Sequence, residues 1–329
     1  MATSTSTPPT STSDASFASC TTAVPGKYGY VPTTACNSNY NYDPSFSAAV
    51  AVSVIFGILT AVHFVEAIAF KKVYAWVLIM GALWETLAFI TGALGAHDQQ
   101  NVGYATAHTL LFLLAPLWVN GFIYMTFARM VHFFLPDRRV WIFKATGMSK
   151  WFVWADVLSF IVQAAGGIMT SPGGSSRTIQ VGLHIYTGGV AMQELFILCF
   201  LGLMVVFHRK AIQAAGKVQP EDFIVSKVPK RWTSLLYILY AVLTFISLRI
   251  FYRIAEFGEG ISPDSNPIPY YEAYSYALDA FPMMMCLFLL AVIHPGRFLV
   301  GLESELPRKT RAEKKAEKEA RKQVIEMTK

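Results

Sequence analysis

Charged side chains inside long apolar stretches are the candidate functional residues of this sequence. Three of them, Arg249, Arg253 and Glu256, stand at positions i, i+4 and i+7, so a helix places them on one face. Asp279 follows in the next apolar stretch, where it could pair with either arginine. Guanidinium groups suit phosphate or carboxylate headgroups, whereas the acids suit an amine. These residues are therefore either interhelical ion pairs that fix packing or the headgroup site of a ligand.

Ionisable residues also occupy the other apolar stretches, at every predicted depth. His63 and Glu66 lie three residues apart on one helix face, and with Arg129 they form a predicted inner polar group. Glu85 and Glu194 are placed near the middle, with no basic residue at the same depth. Because hydrocarbon disfavours charge, we expect each of these two carboxyls to be neutral, or to ionise only when a cation arrives. The predicted polar track is completed by Asp156 towards the inner side and by His108 and His184 towards the outer side.

Seven apolar stretches must position these side chains. They lie at about 46–70, 73–96, 104–131, 150–169, 179–207, 232–256 and 274–293, and about 20 mostly apolar residues are enough for a helix to cross a bilayer. Charged residues make up only 15% of the chain, against about 25% in soluble domains. The sequence therefore predicts an all-α, polytopic membrane protein with a bundle of seven transmembrane helices.

The basic residues predict how this bundle is oriented. Of the 27 lysines and arginines, 22 fall on one side of the seven spans and two, Lys27 and Arg177, fall on the other. Cytoplasmic loops are enriched in basic residues, so the N-terminus is expected outside and the C-terminus inside. The net charge of +6 then belongs to loops that face anionic inner-leaflet lipids. It gives no reason to expect a nucleic-acid partner.

Three segments follow from this topology. Residues 1–45 form a predicted extracellular Ser/Thr-rich segment, 46–296 the transmembrane domain and 297–329 a charged cytoplasmic tail. Cys20 and Cys36 share the outer segment, where a disulfide between them is chemically permitted.

Several motifs resemble the fungal RTA-like family, also called lipid-translocating exporters. They are LRIFYRIAEFGEG at 248–260, Tyr271-Glu272, Asp279 and the His-Pro-Gly run at 294–296, and the likeness extends over about 28–300. One departure concerns the second span, where the family usually continues after Glu85 with Gly-Tyr and an arginine one turn later. This chain instead reads TLAFITGALG, so a polar contact of the family is absent there.

The resemblance implies a multi-pass protein of the plasma membrane, or of another endomembrane, that exports sphingoid long-chain bases and gives resistance to toxic amphiphiles. Glu85, Glu194, Glu256 and Asp279 are then chemically reasonable hosts for the ammonium group of such a base. The resemblance adds Glu272 to the predicted translocation path.

Other classes of protein share the seven-span topology. A seven-helix receptor or sensor that regulates lipid asymmetry or a stress response is the main alternative. A metal-dependent lipid hydrolase would need a cluster of histidines, but the seven histidines include no H-x-x-x-H pair. Porphyrin binding through His108 and His184 is a variant of the transporter interpretation. We therefore expect that the protein is not an enzyme and that it holds neither a metal nor a resident cofactor. The sequence contains no Walker motif, so we do not expect this chain to use ATP directly to drive transport.

Overall fold

The computed structural model describes residues 21–170, 176–215, 231–258 and 266–299. Within these ranges, seven helices are long and apolar enough to cross a membrane, which confirms the predicted seven-helix fold. The first six are α1 (Phe46–Phe70), α2 (Trp76–His97), α3 (Val102–Phe134), α4 (Ala145–Met169), α5 (Ser176–Ala215) and α6 (Arg231–Gly258). We call the seventh span α7; it consists of an α-helical turn at Glu272–Ser275, a π-helical turn at Tyr276–Ala280 and an α-helix at Phe281–Val292.

The helices form a ring in chain order. Each of them packs on the next, and α7 closes the ring by packing on α1. The third span, α3, is the most buried of the seven and also contacts α5 and α6. Side chains of α3 such as Phe122 and Tyr124 are fully buried in the centre of the bundle. This helix is therefore the core around which the polar side chains are arranged.

Helices α4 and α5 approach each other closely because glycines line their contact. A β-carbon at Gly182 would lie 2.8 Å from the β-carbon of Met169, and one at Gly189 would lie 2.9 Å from the backbone nitrogen of Gln163. Neither distance is sterically acceptable, so larger residues would separate the helices. Small residues that let backbones approach are the usual basis of helix packing in membranes.

The N-terminal segment, described from residue 21 onwards, packs on one end of the bundle. The ring of Tyr28 stacks on His97 with centroids 4.3 Å apart, and the amide of Asn39 donates to the carbonyl of Gln99 at 2.9 Å. The connection between α2 and α3 at residues 98–101 lies at the same end, which we call the outer end. That this end faces the outside of the cell stays a prediction.

A two-stranded hairpin lies at the opposite, inner end. Strands β1 (Arg139–Val140) and β2 (Phe143–Lys144) pair antiparallel between α3 and α4. These two strands are the only β structure among the described residues. The Asp137 carboxylate just before it accepts a hydrogen bond from Lys210 of α5 at 2.8 Å.

The predicted partners and segments near the chain ends are only partly described. Cys36 is disulfide-bonded, but Cys20 lies outside the described residues, so their pairing stays a prediction. Residues 300–329 of the predicted tail and three basic residues of the predicted inner loops, Lys217, Lys227 and Lys230, also lie outside the described ranges.

Candidate functional site

A cavity of about 560 Å³ lies near the outer end of the bundle. It is bounded by α3, α4, α5, α6 and the chain leading into α7, with Tyr42 of the N-terminal segment on its wall. Its volume falls within the range of about 300–1,000 Å³ that is usual for small-molecule pockets. Apolar walls come from Leu113, Phe160, Ile168, Leu183 and Phe257, and polar groups from Tyr42, His108, Gln163, Tyr252, Arg253 and Glu256.

A network of ion pairs lies beside this cavity. Arg253 donates to Glu256 at 2.8 Å and also pairs with Asp279, while Arg249 pairs with the other oxygen of Asp279. The guanidinium groups of Arg249 and Arg253 lie over the ring of Phe112 at 5.8 and 5.4 Å. The predicted pairing of Asp279 is confirmed, and it involves both arginines rather than one.

Local helix geometry brings this network together. The i, i+4, i+7 spacing on α6 places its three charged residues along one face, and Asp279 lies in the π-helical turn of α7. Such turns occur mostly as single turns inside α-helices and are frequent at functional sites. Here the turn holds Asp279 fully buried against α6. The sequence predicted the partners but gave no signal for the π turn.

Glu85 adds an acid to this region without adding a partner. Its side chain is fully buried, and neither carboxyl oxygen has a hydrogen-bond partner among the described residues. Arg249, Asp279 and Arg253 are close enough to act electrostatically on its carboxyl group. Two arginines that the sequence placed nearer the outer side thus act on Glu85, because a long arginine side chain reaches several ångströms from its own backbone. The depth of Glu85 relative to them stays a prediction.

The remaining polar groups on the cavity wall are mainly acceptors. The Nδ1 atom of His108 is 2.7 Å from the carbonyl oxygen of Ala88; since a carbonyl only accepts, Nδ1 carries the proton and Nε2 of the neutral ring is an acceptor. The amide nitrogen of Gln163 donates to Gln193 at 3.0 Å, which leaves the Gln163 carbonyl oxygen as an acceptor. These groups suit a ligand that donates hydrogen bonds.

Glu272 lies where the N-terminal segment meets α7. Both of its carboxyl oxygens accept from the backbone nitrogen of Ser45 at 3.1 Å, and one also accepts from the hydroxyl of Tyr276 at 3.2 Å. Glu272 therefore holds the segment that carries Tyr42 against the outer end. Tyr42 was not singled out in the sequence, because a single tyrosine in a polar segment has no distinguishing pattern.

Asp156 and Glu194 form a separate group in the middle of the bundle. Asp156 accepts hydrogen bonds from Asn120 and Tyr124, both at 3.0 Å. Its predicted position near the inner side is wrong, because it contacts Asn120 of the central part of α3. Neither acid lines the outer cavity.

The predicted inner polar group is only partly assembled. His63 lies 3.4 Å from Glu66, and Glu66 lies 3.7 Å from Arg297. Arg129 instead lies over the ring of Tyr74 at 3.7 Å and donates to the carbonyl of Met125.

His184 is not brought to the cavity. Its side chain is exposed on α5, whereas His108 is held in the bundle by Ala88. A helix turns by about 100° per residue, so depth alone did not indicate which face His184 occupies. The two histidines are not assembled as a porphyrin-binding pair in this arrangement.

Comparisons with known proteins agree with this architecture. The profile of the RTA1-like protein family matches residues 78–301. A probable lipid transporter, atnI of Emericella nidulans, is 44% identical over 93% of this chain and 80% of its own length. The sphingoid long-chain base transporter RSB1 of Saccharomyces cerevisiae is 26% identical over 83% of this chain and 78% of its own. Protoporphyrin uptake protein 1 of the same yeast is 25% identical over 77% and 90%. No solved structure matches the chain.

Proposed function

This chain belongs to the RTA1-like family, and on that premise we propose that it is a lipid translocator for single-chain cationic amphiphiles such as sphingoid long-chain bases. The outer cavity holds the amphiphile, with its ammonium group next to the acids of the ion-pair network. The protein moves the lipid without breaking a bond in it. This exporter activity gives the cell resistance to toxic amphiphiles. The protein is localised to the plasma membrane.

The charge balance around the cavity carries this proposal. Arg249 and Arg253 contribute two positive charges, while Glu85, Glu256 and Asp279 contribute three carboxyl groups. Both terminal nitrogens of Arg253 already face carboxylates, so the arginines are engaged by the protein itself. The excess is acidic, which favours a cationic headgroup over a phosphate.

The rest of the cavity supports the same class of ligand. The apolar wall accommodates a hydrocarbon chain, and the acceptors on His108 and Gln163 suit the hydroxyl groups of a sphingoid base. The names of two relatives specify lipid transport, one of them of a sphingoid long-chain base. These names also support a transporter rather than an enzyme.

The inner hairpin is proposed to contact anionic lipids of the inner leaflet. Trp141 and Ile142 at its tip are 71% and 70% exposed, and Arg138, Arg139 and Lys144 flank them. An aromatic residue among basic ones suits the boundary between headgroups and acyl chains, and each basic residue near an anionic surface adds about 1 kcal/mol.

Filling the cavity tests the proposed lipid site. Gly167 lines the cavity, and a β-carbon there would meet nothing within 4 Å, so we expect the side chain of Gly167→Leu to extend into the open space. Each lost methylene contact of a lipid chain is worth about 0.8 kcal/mol; two such contacts predict about tenfold weaker binding of labelled sphingosine. The matched control is Gly188→Leu, since Gly188 also has open space but does not line the cavity. If both variants bind sphingosine with equal affinity, the lipid binds at a site other than this cavity.

A further inference from the structure

Two buried carboxyl groups in the middle of the bundle have no counter-charge. Asp156 of α4 is 2% exposed and Glu194 of α5 is 5% exposed. Among the described residues, no lysine, arginine or histidine forms an ion pair with either of them. They differ in this from Asp279 and Glu256 of the outer network, each of which faces an arginine.

Only one carboxyl oxygen of Asp156 accepts hydrogen bonds. Its Oδ2 atom accepts from Asn120 and from Tyr124. Its Oδ1 atom and the side-chain oxygen of Asn120 are both buried and have no hydrogen-bond partner among the described residues. Both unpartnered atoms are acceptors when the carboxyl is ionised, so the site is missing a donor.

Glu194 has one polar neighbour, the hydroxyl of Ser247 on α6, which is close enough to donate to its carboxyl group. The contact lacks the geometry of a well-formed hydrogen bond, and neither oxygen has another partner among the described residues. Glu194 is also close enough to act electrostatically on the hydroxyl of Tyr124, the same hydroxyl that donates to Asp156. Both acids therefore act on Tyr124.

We propose that Asp156 and Glu194 form a proton-binding site that couples lipid movement to proton movement. An ionised carboxylate without a partner is costly in hydrocarbon, and a bound proton both removes the charge and supplies the missing donor. A metal ion fits less well, because hard cations take about six or more oxygen ligands. The described residues also contain no group of three metal-binding side chains.

The site is separate from the outer cavity but connected to it by amides. Gln163 lines the cavity and stands seven residues after Asp156 on the same face of α4. It donates to Gln193, the residue before Glu194. The titratable group that contacts Asp156 is Tyr124 of α3. Glu194 of α5 acts electrostatically on the same tyrosine, and Ser247 of α6 is the neighbour of Glu194. We therefore expect a change of protonation here to reach the cavity wall through the pair of Gln163 and Gln193.

Infrared spectroscopy of the purified full chain tests the bound proton without any transport measurement. A protonated carboxyl has a C=O stretch that an ionised one lacks. We expect Asp156→Asn or Glu194→Gln to remove such a band at neutral pH, whereas Asp98→Asn, at an exposed acid of the outer end, leaves it unchanged. A spectrum in which neither site variant removes intensity would overturn the proton site.

Coupling is tested in sealed vesicles and depends on the proposed function. The probe is N,N,N-trimethylsphingosine, whose permanent charge prevents it from carrying protons itself. In the wild type we expect its movement to drive protons the opposite way, read from a pH dye in the lumen. Asp156→Asn should abolish the linked pH change, and Glu194→Gln is the second variant if the first does not fold.

The outcomes separate the two proposals. If the probe does not move in the wild type, the proposed lipid translocation fails. If the probe moves but the wild-type lumen keeps its pH, or if both variants show the same pH change as the wild type, translocation stands and the coupling is wrong.

Discussion

Arg253 is the residue on which the outer network depends most. It bridges Glu256 and Asp279 with a side chain that is only 14% exposed, so its removal leaves two buried acids with less compensation. Breaking a buried pair in this way costs about 3–5 kcal/mol. We expect Arg253→Ala to lower the free energy of unfolding in detergent by that amount, and Glu256→Gln or Asp279→Asn to restore part of it.

Lys210 provides the comparison for this prediction. Its partner Asp137 is 50% exposed, and exposed pairs are worth about 0–1 kcal/mol. The hydrogen bond from Lys210 also lowers the pKa of Asp137, so this small contribution is present at neutral pH and is lost as the pH falls through the lowered pKa. Lys210→Ala should therefore change the free energy of unfolding by no more than about 1 kcal/mol.

The rescue experiment decides whether Arg253 is paired as described. If neither Glu256→Gln nor Asp279→Asn restores stability to Arg253→Ala, the proposed pairing is wrong.

Substitution of Glu85 distinguishes a role of this residue in cation binding from a role in helix packing. Glu85→Gln keeps the shape and the hydrogen-bonding capacity of the side chain but cannot become negative. We expect normal amounts of protein at the cell surface and loss of tolerance to cationic amphiphiles, measured as growth on plates. Asp98→Asn, which changes an exposed acid, should leave tolerance intact. Full tolerance in Glu85→Gln cells would mean that Glu85 only supports the bundle.

At the scale of elements, the contact between α4 and α5 depends on which face each glycine occupies. A β-carbon on Gly189 would lie 2.8 Å from a side-chain carbon of Gln163, whereas one on Gly188 meets nothing within 4 Å. Overpacking of this kind costs about 1–3 kcal/mol. Gly189→Ala should therefore lower the melting temperature in detergent, and Gly188→Ala should not. Equal melting temperatures would contradict the close packing of these two helices.

The sequence predicted where the helices lie along the chain better than it predicted which face of each helix a side chain occupies. Hydropathy identified all seven spans because a membrane helix needs a long apolar run, although α5 continues to Ala215, beyond its predicted end at 207. The stripe of Arg249, Arg253 and Glu256 was predictable because it lies within one helix. The exposed position of His184 and the contact of Asp156 with Asn120 were not, because both depend on how helices rotate against each other.

At the scale of the whole molecule, the charge asymmetry predicts the orientation of the bundle. With 22 basic residues on one side and two on the other, the positive-inside rule places residue 329 in the cytoplasm. A tag fused after Lys329 should be protected from external protease in sealed cells, whereas one placed before residue 21 should be digested. Digestion of the tail tag in sealed cells would mean that the orientation or the number of spans is wrong.

We propose that this protein by itself moves cationic single-chain lipids across a bilayer. The most direct test is the movement of labelled sphingosine across sealed vesicles that contain only the purified full chain. We predict movement that saturates with lipid concentration and that Gly167→Leu slows while Gly188→Leu does not. Binding without movement above that of protein-free vesicles would instead identify a receptor or sensor, and release of a cleaved product would identify a hydrolase; either result would contradict the claim.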